Sequence, residues 1–108
     1  MSKLYIDDIR IPKNDASSWV VVRSSNDAKN WVLKNGIPNE ISFDHDLGET
    51  DTSMEFIHWM IEKILDGELK IPKHFQYNVH SANPVGKDNI HSLMNSFLSF
   101  IHREIRNA

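Results

Sequence analysis

The sequence has no cysteine and, among its 108 residues, only four glycines and four prolines. Without cysteine there is no disulfide framework, no thiolate zinc site and no cysteine nucleophile. That suits a reducing compartment, and a cytoplasmic location is expected. No apolar run approaches the length of a membrane span, and Met1-Ser2-Lys3-Leu4 leads directly into a strand-like run, so neither a membrane anchor nor a signal peptide is expected. An excess of positive charge is also missing. The formal net charge of −3 argues against a broad nucleic-acid-binding surface, which needs a basic stripe to release counterions. A small phosphate ligand held by a few local cations stays compatible with it. Aromatic residues make up only 9%, and Trp19, Trp31 and Trp59 are expected to pack in the core or between helix and sheet rather than to stack on bases.

What is present is the composition of an ordinary globular domain, 40% hydrophobic and 25% charged, read as a single domain over residues 1–108. Its organising stretch is Ile41-Ser42-Phe43-Asp44-His45-Asp46-Leu47-Gly48, an apolar run that ends in two carboxylates flanking an imidazole. Leu4-Tyr5-Ile6 likewise runs into Asp7-Asp8, and Tyr77-Asn78-Val79 into His80-Ser81-Ala82-Asn83. Short apolar runs of this kind are strands of a parallel sheet, and ligands collect past their carboxyl ends.

Between these runs the signals alternate. Trp19-Val20-Val21-Val22 reads as a strand covered on both faces, reached through a crossover, residues 7–18, that is mostly loop. Ser24 or Ser25 caps a first helix with Asp27 in its first turn and Ala28, Trp31 and Val32 inward, and Gly36 with Pro38 ends it. The central strand runs from about Glu40 to Asp44. Thr52 and Glu55 form a capping box for a second helix with Phe56, Ile57, Met60, Ile61 and Ile64 inward and Gly67 at its end. Phe75, Tyr77 and Val79 alternate with polar residues, as in a half-exposed edge strand. Asn83 caps the last helix, Pro84 opens it, and Ile90, Leu93, Met94, Phe97, Leu98, Ile101 and Ile105 form its stripe. Strands alternating with helices imply a small α/β fold: a parallel sheet of about four strands in the order 2-1-3-4, with about three helices.

Side by side and parallel, the three polar strand endings meet on one rim. Carboxylates gathered there repel one another unless a divalent metal, a nearby cation or shared protons compensate. Hard oxygen ligands suit Mg²⁺ or Mn²⁺, with Asp7, Asp8, Asp44 and Asp46 as candidate ligands. His45 and His80 are candidate general acids or bases. Ser81, Asn83 and the amides opening the last helix are candidates for holding phosphate, with Arg10 and Lys87 supplying positive charge. His58, His74, His91 and His102 read as surface or helix-face residues.

Together, Leu4-Tyr5-Ile6-Asp7-Asp8-Ile9-Arg10, Ile41-Ser42-Phe43-Asp44-His45-Asp46-Leu47-Gly48 and Val79-His80-Ser81-Ala82-Asn83-Pro84-Val85-Gly86 resemble the cyclic-phosphate processing receiver-like domains, a compact offshoot of the response-regulator receivers. The resemblance implies a flavodoxin-like fold with an acidic metal pocket: Asp7 and Asp8 on the metal, Asp44 in the position of the phosphate acceptor, Ser81 on phosphate. The spacing to Thr52 favours Asp44 over Asp46 for that position. A receiver's fifth strand, with its terminal Lys, and its fifth helix have no counterpart here, which argues against a phosphorelay role. His45 and His80 instead match the offshoot family, for which cyclic-phosphate processing has been inferred. The leading expectation is a metal-dependent phosphoesterase acting on a cyclic phosphate, in a cyclic nucleotide or at a nucleotide or RNA end. The alternatives are a non-catalytic module that binds such a ligand and a receiver phosphorylated on Asp44.

Overall fold

The structure, a computed structural model, describes residues 2–107; the side chains of 105–107 lie outside the description, and with them Ile105 of the expected stripe. The elements are β1 (Lys3–Ile6), β2 (Val20–Val22), α1 (Ser25–Asn35), β3 (Glu40–Phe43), α2 (Ser53–Leu65), β4 (Gln76–Val79) and α3 (Pro84–Asn107). The four strands form one sheet in the order β2-β1-β3-β4, with every pairing parallel. This is the expected receiver-like α/β topology. No helix among the described residues is long and apolar enough to cross a membrane.

Strand alternation sorts the sheet into two unlike faces. Leu4, Ile6, Ile41 and Phe43 point to one side and are buried with Ala28 and Val32 of α1, Phe56, Ile57 and Met60 of α2, and Ile90 and Met94 of α3. All three helices therefore cover one face. Each fully buried Phe or Ile there contributes about 1.5–3 kcal/mol through the water it sheds. On the other face, Tyr5, Ser42 and Asn78 lie abreast in register.

Connection handedness explains the asymmetry. The β2-to-β3 and β3-to-β4 crossovers run in the same direction across the sheet, and right-handed connections put both on one side. The β1-to-β2 crossover runs the other way and so crosses the opposite face. It contains a single 3-10 turn, Ala16–Ser18, so that face carries a loop where a helix would otherwise sit.

Three expectations need correction. The second strand begins at Val20 and is an edge, with Val20 itself 39% exposed, so it is not covered on both faces. Trp19 lies outside the hydrophobic core: its ring meets Tyr5 edge-on at 5.8 Å and carries the Lys3 ammonium 5.1 Å from its centroid. The Thr52–Glu55 capping box does not form, because the Thr52 side chain makes no cap bond and the Glu55 carboxylate accepts instead from Ser25 Oγ at 2.7 Å. Asp51 accepts from the Ser25 amide at 2.8 Å, and its other oxygen lies 2.5 Å from the same hydroxyl, whose one proton the two carboxylates share. The Asp51 and Glu55 carboxylates thus tie the starts of α1 and α2 together. Ser24 and Asn83 cap as expected, accepting from Asp27 N and Gly86 N, each at 3.0 Å.

Candidate active site

The parallel ladder continues one rung beyond its last strand residues. Asp7 N donates to Val22 O at 3.1 Å, Asp44 N to Ile6 O at 2.9 Å, and His80 N to Phe43 O at 2.9 Å. β3 ends at Phe43, so Asp44 is the residue just past it. Asp7, Asp44 and His80 are thereby fixed abreast at the carboxyl end of the sheet by backbone geometry alone. By alternation they share the helix-free face with Tyr5, Ser42 and Asn78.

Asp7 is fully buried, at 0% exposure. Its Oδ1 accepts from the amides of Ile9 and Arg10, both at 2.9 Å, and its Oδ2 accepts from Arg10 Nε at 2.9 Å and His80 Nε2 at 3.0 Å. The Arg10 guanidinium also reaches Asp44 Oδ2 at 3.3 Å, so one cation bridges the two buried acids. Burial works to raise the Asp7 carboxyl, but the amides of Arg10 and Ile9, with His80 and the guanidinium, outweigh it and hold it below the ordinary value. Asp44 goes the other way: burial and the Asp7 charge raise it more than Arg10 and His80 lower it. Two neighbouring carboxyls thus have proton affinities driven apart.

His80 is wired on both sides. Its ring stacks on Tyr5, centroids 4.2 Å apart and planes within 8°. Ser42 Oγ lies 2.7 Å from His80 Nδ1 and 2.5 Å from Asn78 Oδ1. With the ring protonated, Nδ1 donates to Ser42, which donates its one proton to Asn78 Oδ1, and every contact carries a proton. With the ring neutral and Nε2 donating to Asp7, Ser42 turns that proton to Nδ1 and its contact with Asn78 Oδ1 loses it. Burial pushes the imidazole pKa down, against the upward pull of Asp7 and Asp44.

The remaining candidates are placed as follows. One oxygen from each of Asp7, Asp8 and Asp44 falls within 4.8 Å of the others, a set able to hold a metal ion. The surrounding rim cavity, about 420 Å³, is lined by these three together with Arg10, Asp46 and Asn83. Asp46 lies outside the three-carboxylate set and is held by His45 Nδ1 at 3.1 Å and Asn83 Nδ2 at 3.2 Å. Asn83 is occupied as the α3 cap and as the anchor of Asp46. Ser81 Oγ accepts from Asn83 N at 3.0 Å, shaping the turn into α3. Lys87 is exposed on α3 and does not line the rim cavity. His45 does not line it either, since its ring is laid against Gly86.

Several residues that position the site had no role in the sequence reading. Ser42 and Asn78 hold His80. Arg23 Nη1 donates to Asp7 O at 3.2 Å and Arg10 O at 2.8 Å, pinning the loop that carries both. Ser53 is fully buried; its hydroxyl donates to Asp44 O and its amide to His45 O, which fixes the start of α2 under the central strand. Gly86 admits the His45 ring, because a Cβ there would stand 2.3 Å from His45 Cγ. Its signal was a glycine in the first turn of an otherwise helical run, a position that asks for a close-approach reason. Gly86→Ala is expected to lower the melting temperature by several degrees despite the better helix propensity of alanine, since overpacking costs about 1–3 kcal/mol. Thermal unfolding measures this, and the His45 ring resonances should shift with it.

The parallel sheet, with acids closing β1 and β3 on one rim, defines a receiver-like α/β domain. The family model of the cyclic-phosphate processing receiver domain matches residues 2–96, and the chain belongs to that family. No curated protein and no solved structure matches it.

Proposed function

We propose that the domain is a metal-dependent phosphoesterase that opens a cyclic phosphate at this rim. The observation that carries the reading is the convergence of Asp7, Asp8 and Asp44 within 4.8 Å, two of them buried. Their ligand atoms are hard oxygens on short side chains, the donor set that Mg²⁺ and Mn²⁺ take. These three carboxylates would hold the ion, which supplies charge neutralisation at phosphate and an activated water.

The chain's own residues supply the rest. Arg10 offers guanidinium N–H groups to phosphate oxygens while keeping Asp7 and Asp44 compatible. His80, held by Asp7 and Ser42, moves the proton that a leaving alkoxide requires. Family membership supports a cyclic phosphate as the substrate class.

The test is ³¹P NMR of 2′,3′-cyclic and 3′,5′-cyclic nucleotides and cyclic dinucleotides incubated with the protein and Mg²⁺ or Mn²⁺. Ring opening of at least one substrate is expected, stopped by chelator and restored by excess metal. Binding without conversion across the panel would leave a non-catalytic module and remove the enzyme claim.

A further inference from the structure

The chemistry proposed above uses the rim, yet the helix-free face has a cavity of its own. The β1-to-β2 crossover borders an open cleft of about 660 Å³ on that face, inside the range of roughly 300–1,000 Å³ usual for small-molecule sites. Ser42 and Asn78 form its polar floor, and Tyr5, Trp19 and His80 give it aromatic walls. The stacked Tyr5–His80 pair and the edge-on Tyr5–Trp19 pair make those walls a preformed layer. Arg10 and Lys13 bring positive charge from the loop, and no carboxylate is among the residues lining it, although the chain as a whole is acidic.

The two cavities adjoin. Ile9 and Arg10 line both, and His80 lines the larger one while its Nε2 reaches Asp7 in the other at 3.0 Å. A ligand lying across them meets metal-binding acids at one end. At the other it meets flat aromatic surface, an amide and a hydroxyl. A flat heterocycle with hydrogen-bonding edges, joined through a short linker to an anionic phosphate, matches that sequence of environments.

We propose that the helix-free cavity is a nucleoside subsite, so that the substrate is a free mononucleotide whose cyclic phosphate lies on the rim and whose base lies against Trp19. Trp19 provides stacking surface, and Asn78, whose Nδ2 donates one N–H to Glu40 Oε2 at 3.3 Å, offers its second N–H to the base edge. The fate of the phosphate rests on the phosphoesterase reading; the subsite does not require turnover.

The protein, in chelator so that metal plays no part, is titrated with the four common ribonucleosides and their 2′,3′-cyclic phosphates while its tryptophan indole N–H signals are followed by NMR. The Trp19 signal, assigned with Trp19→Phe, moves with at least one nucleoside lacking phosphate, and the Trp31 and Trp59 signals stay in place. By isothermal titration calorimetry, Trp19→Ala and Asn78→Ala each weaken that nucleoside about tenfold or more, the lower end of what losing a base contact does, whereas Asp44→Asn changes it less than about twofold. Both altered side chains lie outside the hydrophobic core, and unchanged Trp31 and Trp59 signals verify that the variants fold. A Trp19 signal that no nucleoside or cyclic mononucleotide moves overturns the proposal. So does binding of cyclic dinucleotides or cyclic-phosphate-ended RNA with none of mononucleotides. Mononucleotide binding here with no hydrolysis at any metal concentration keeps the subsite and removes the phosphoesterase reading. Hydrolysis with KM unchanged in Trp19→Ala and Asn78→Ala does the reverse.

Discussion

Asp7→Ala is expected to cost about 3–5 kcal/mol, the range for removing one member of a buried ion-paired group, out of a total of roughly 5–15 kcal/mol for a domain. The melting temperature falls by about 12 °C or more. The loss is large because Asp7 is fully buried and serves four donors: the amides of Ile9 and Arg10, Arg10 Nε and His80 Nε2. Truncation leaves these without an acceptor and strands the guanidinium beside Asp44. The Asp7 pKa is depressed in the folded state, so its contribution is present above the ordinary value of 3.8 and is lost as pH falls through the folded value. Wild type should therefore lose stability on acidification in that window, and the difference from Asp7→Ala should shrink there. Thermal melts of both proteins across acid pH check this; a difference that does not change with pH would contradict the assigned cause.

Asp44→Asn is expected to have the opposite effect on stability and the larger effect on activity. Burial and the Asp7 charge raise the Asp44 carboxyl, so its folded pKa exceeds its unfolded one. Such a group stabilises fully below its unfolded pKa, and that contribution is lost as pH rises through the folded value. At neutral pH the ionised Asp44 is a net liability to the fold. Asparagine relieves it and raises the melting temperature, while its Oδ1 still accepts from Arg10. The gain disappears toward pH values below 3.8, where the wild-type carboxyl is itself protonated. Cyclic-phosphate hydrolysis, in contrast, falls by about 100-fold or more, the scale of losing one preorganised charged group at a reaction centre. A stabilised, inactive Asp44→Asn is the expected signature of a functional carboxylate. A destabilised variant would mean that Asp44 serves mainly to hold Arg10.

Much of this architecture was legible in the sequence because short-range physics decided it. Parallel strands announced themselves as apolar runs closed by acids, and the strand order followed from crossover length and handedness. Asp7, Asp44 and His80 met on one rim because each is the first residue past its strand, and parallel register does not allow otherwise. What escaped was decided by contacts between segments distant in sequence. Glu55 has the correct offset from Thr52 for a capping box, but Ser25, brought in by α1, competes for its carboxylate. Asp46 and Asn83 bond to each other across two loops, a contact that the local sequence around neither residue announces.

The helix-free face was written in the chain and was read only in part. Leu4-Tyr5-Ile6, Ile41-Ser42-Phe43 and Tyr77-Asn78-Val79 each place an amphipathic or polar residue between two apolar ones. That is period-two alternation, the mark of a sheet with helices on one side only. A helix-poor crossover of residues 7–18 pointed the same way. Taken together, they assign Trp19 to the uncovered face, where no helix was available for it to pack against.

Asp8 gives the cleanest access to the central claim, since it is half-exposed while Asp7 and Asp44 are buried and ion-paired. Its replacement perturbs the metal set with least harm to the fold. The measurement is the rate of cyclic-phosphate hydrolysis against Mg²⁺ and Mn²⁺ concentration for wild type and Asp8→Ala. If the three carboxylates hold the ion, the metal concentration giving half the maximal rate rises about tenfold or more in the variant, and high metal recovers much of the rate. Identical metal dependence in the two proteins, or hydrolysis indifferent to chelator, would contradict a metal centre at Asp7, Asp8 and Asp44.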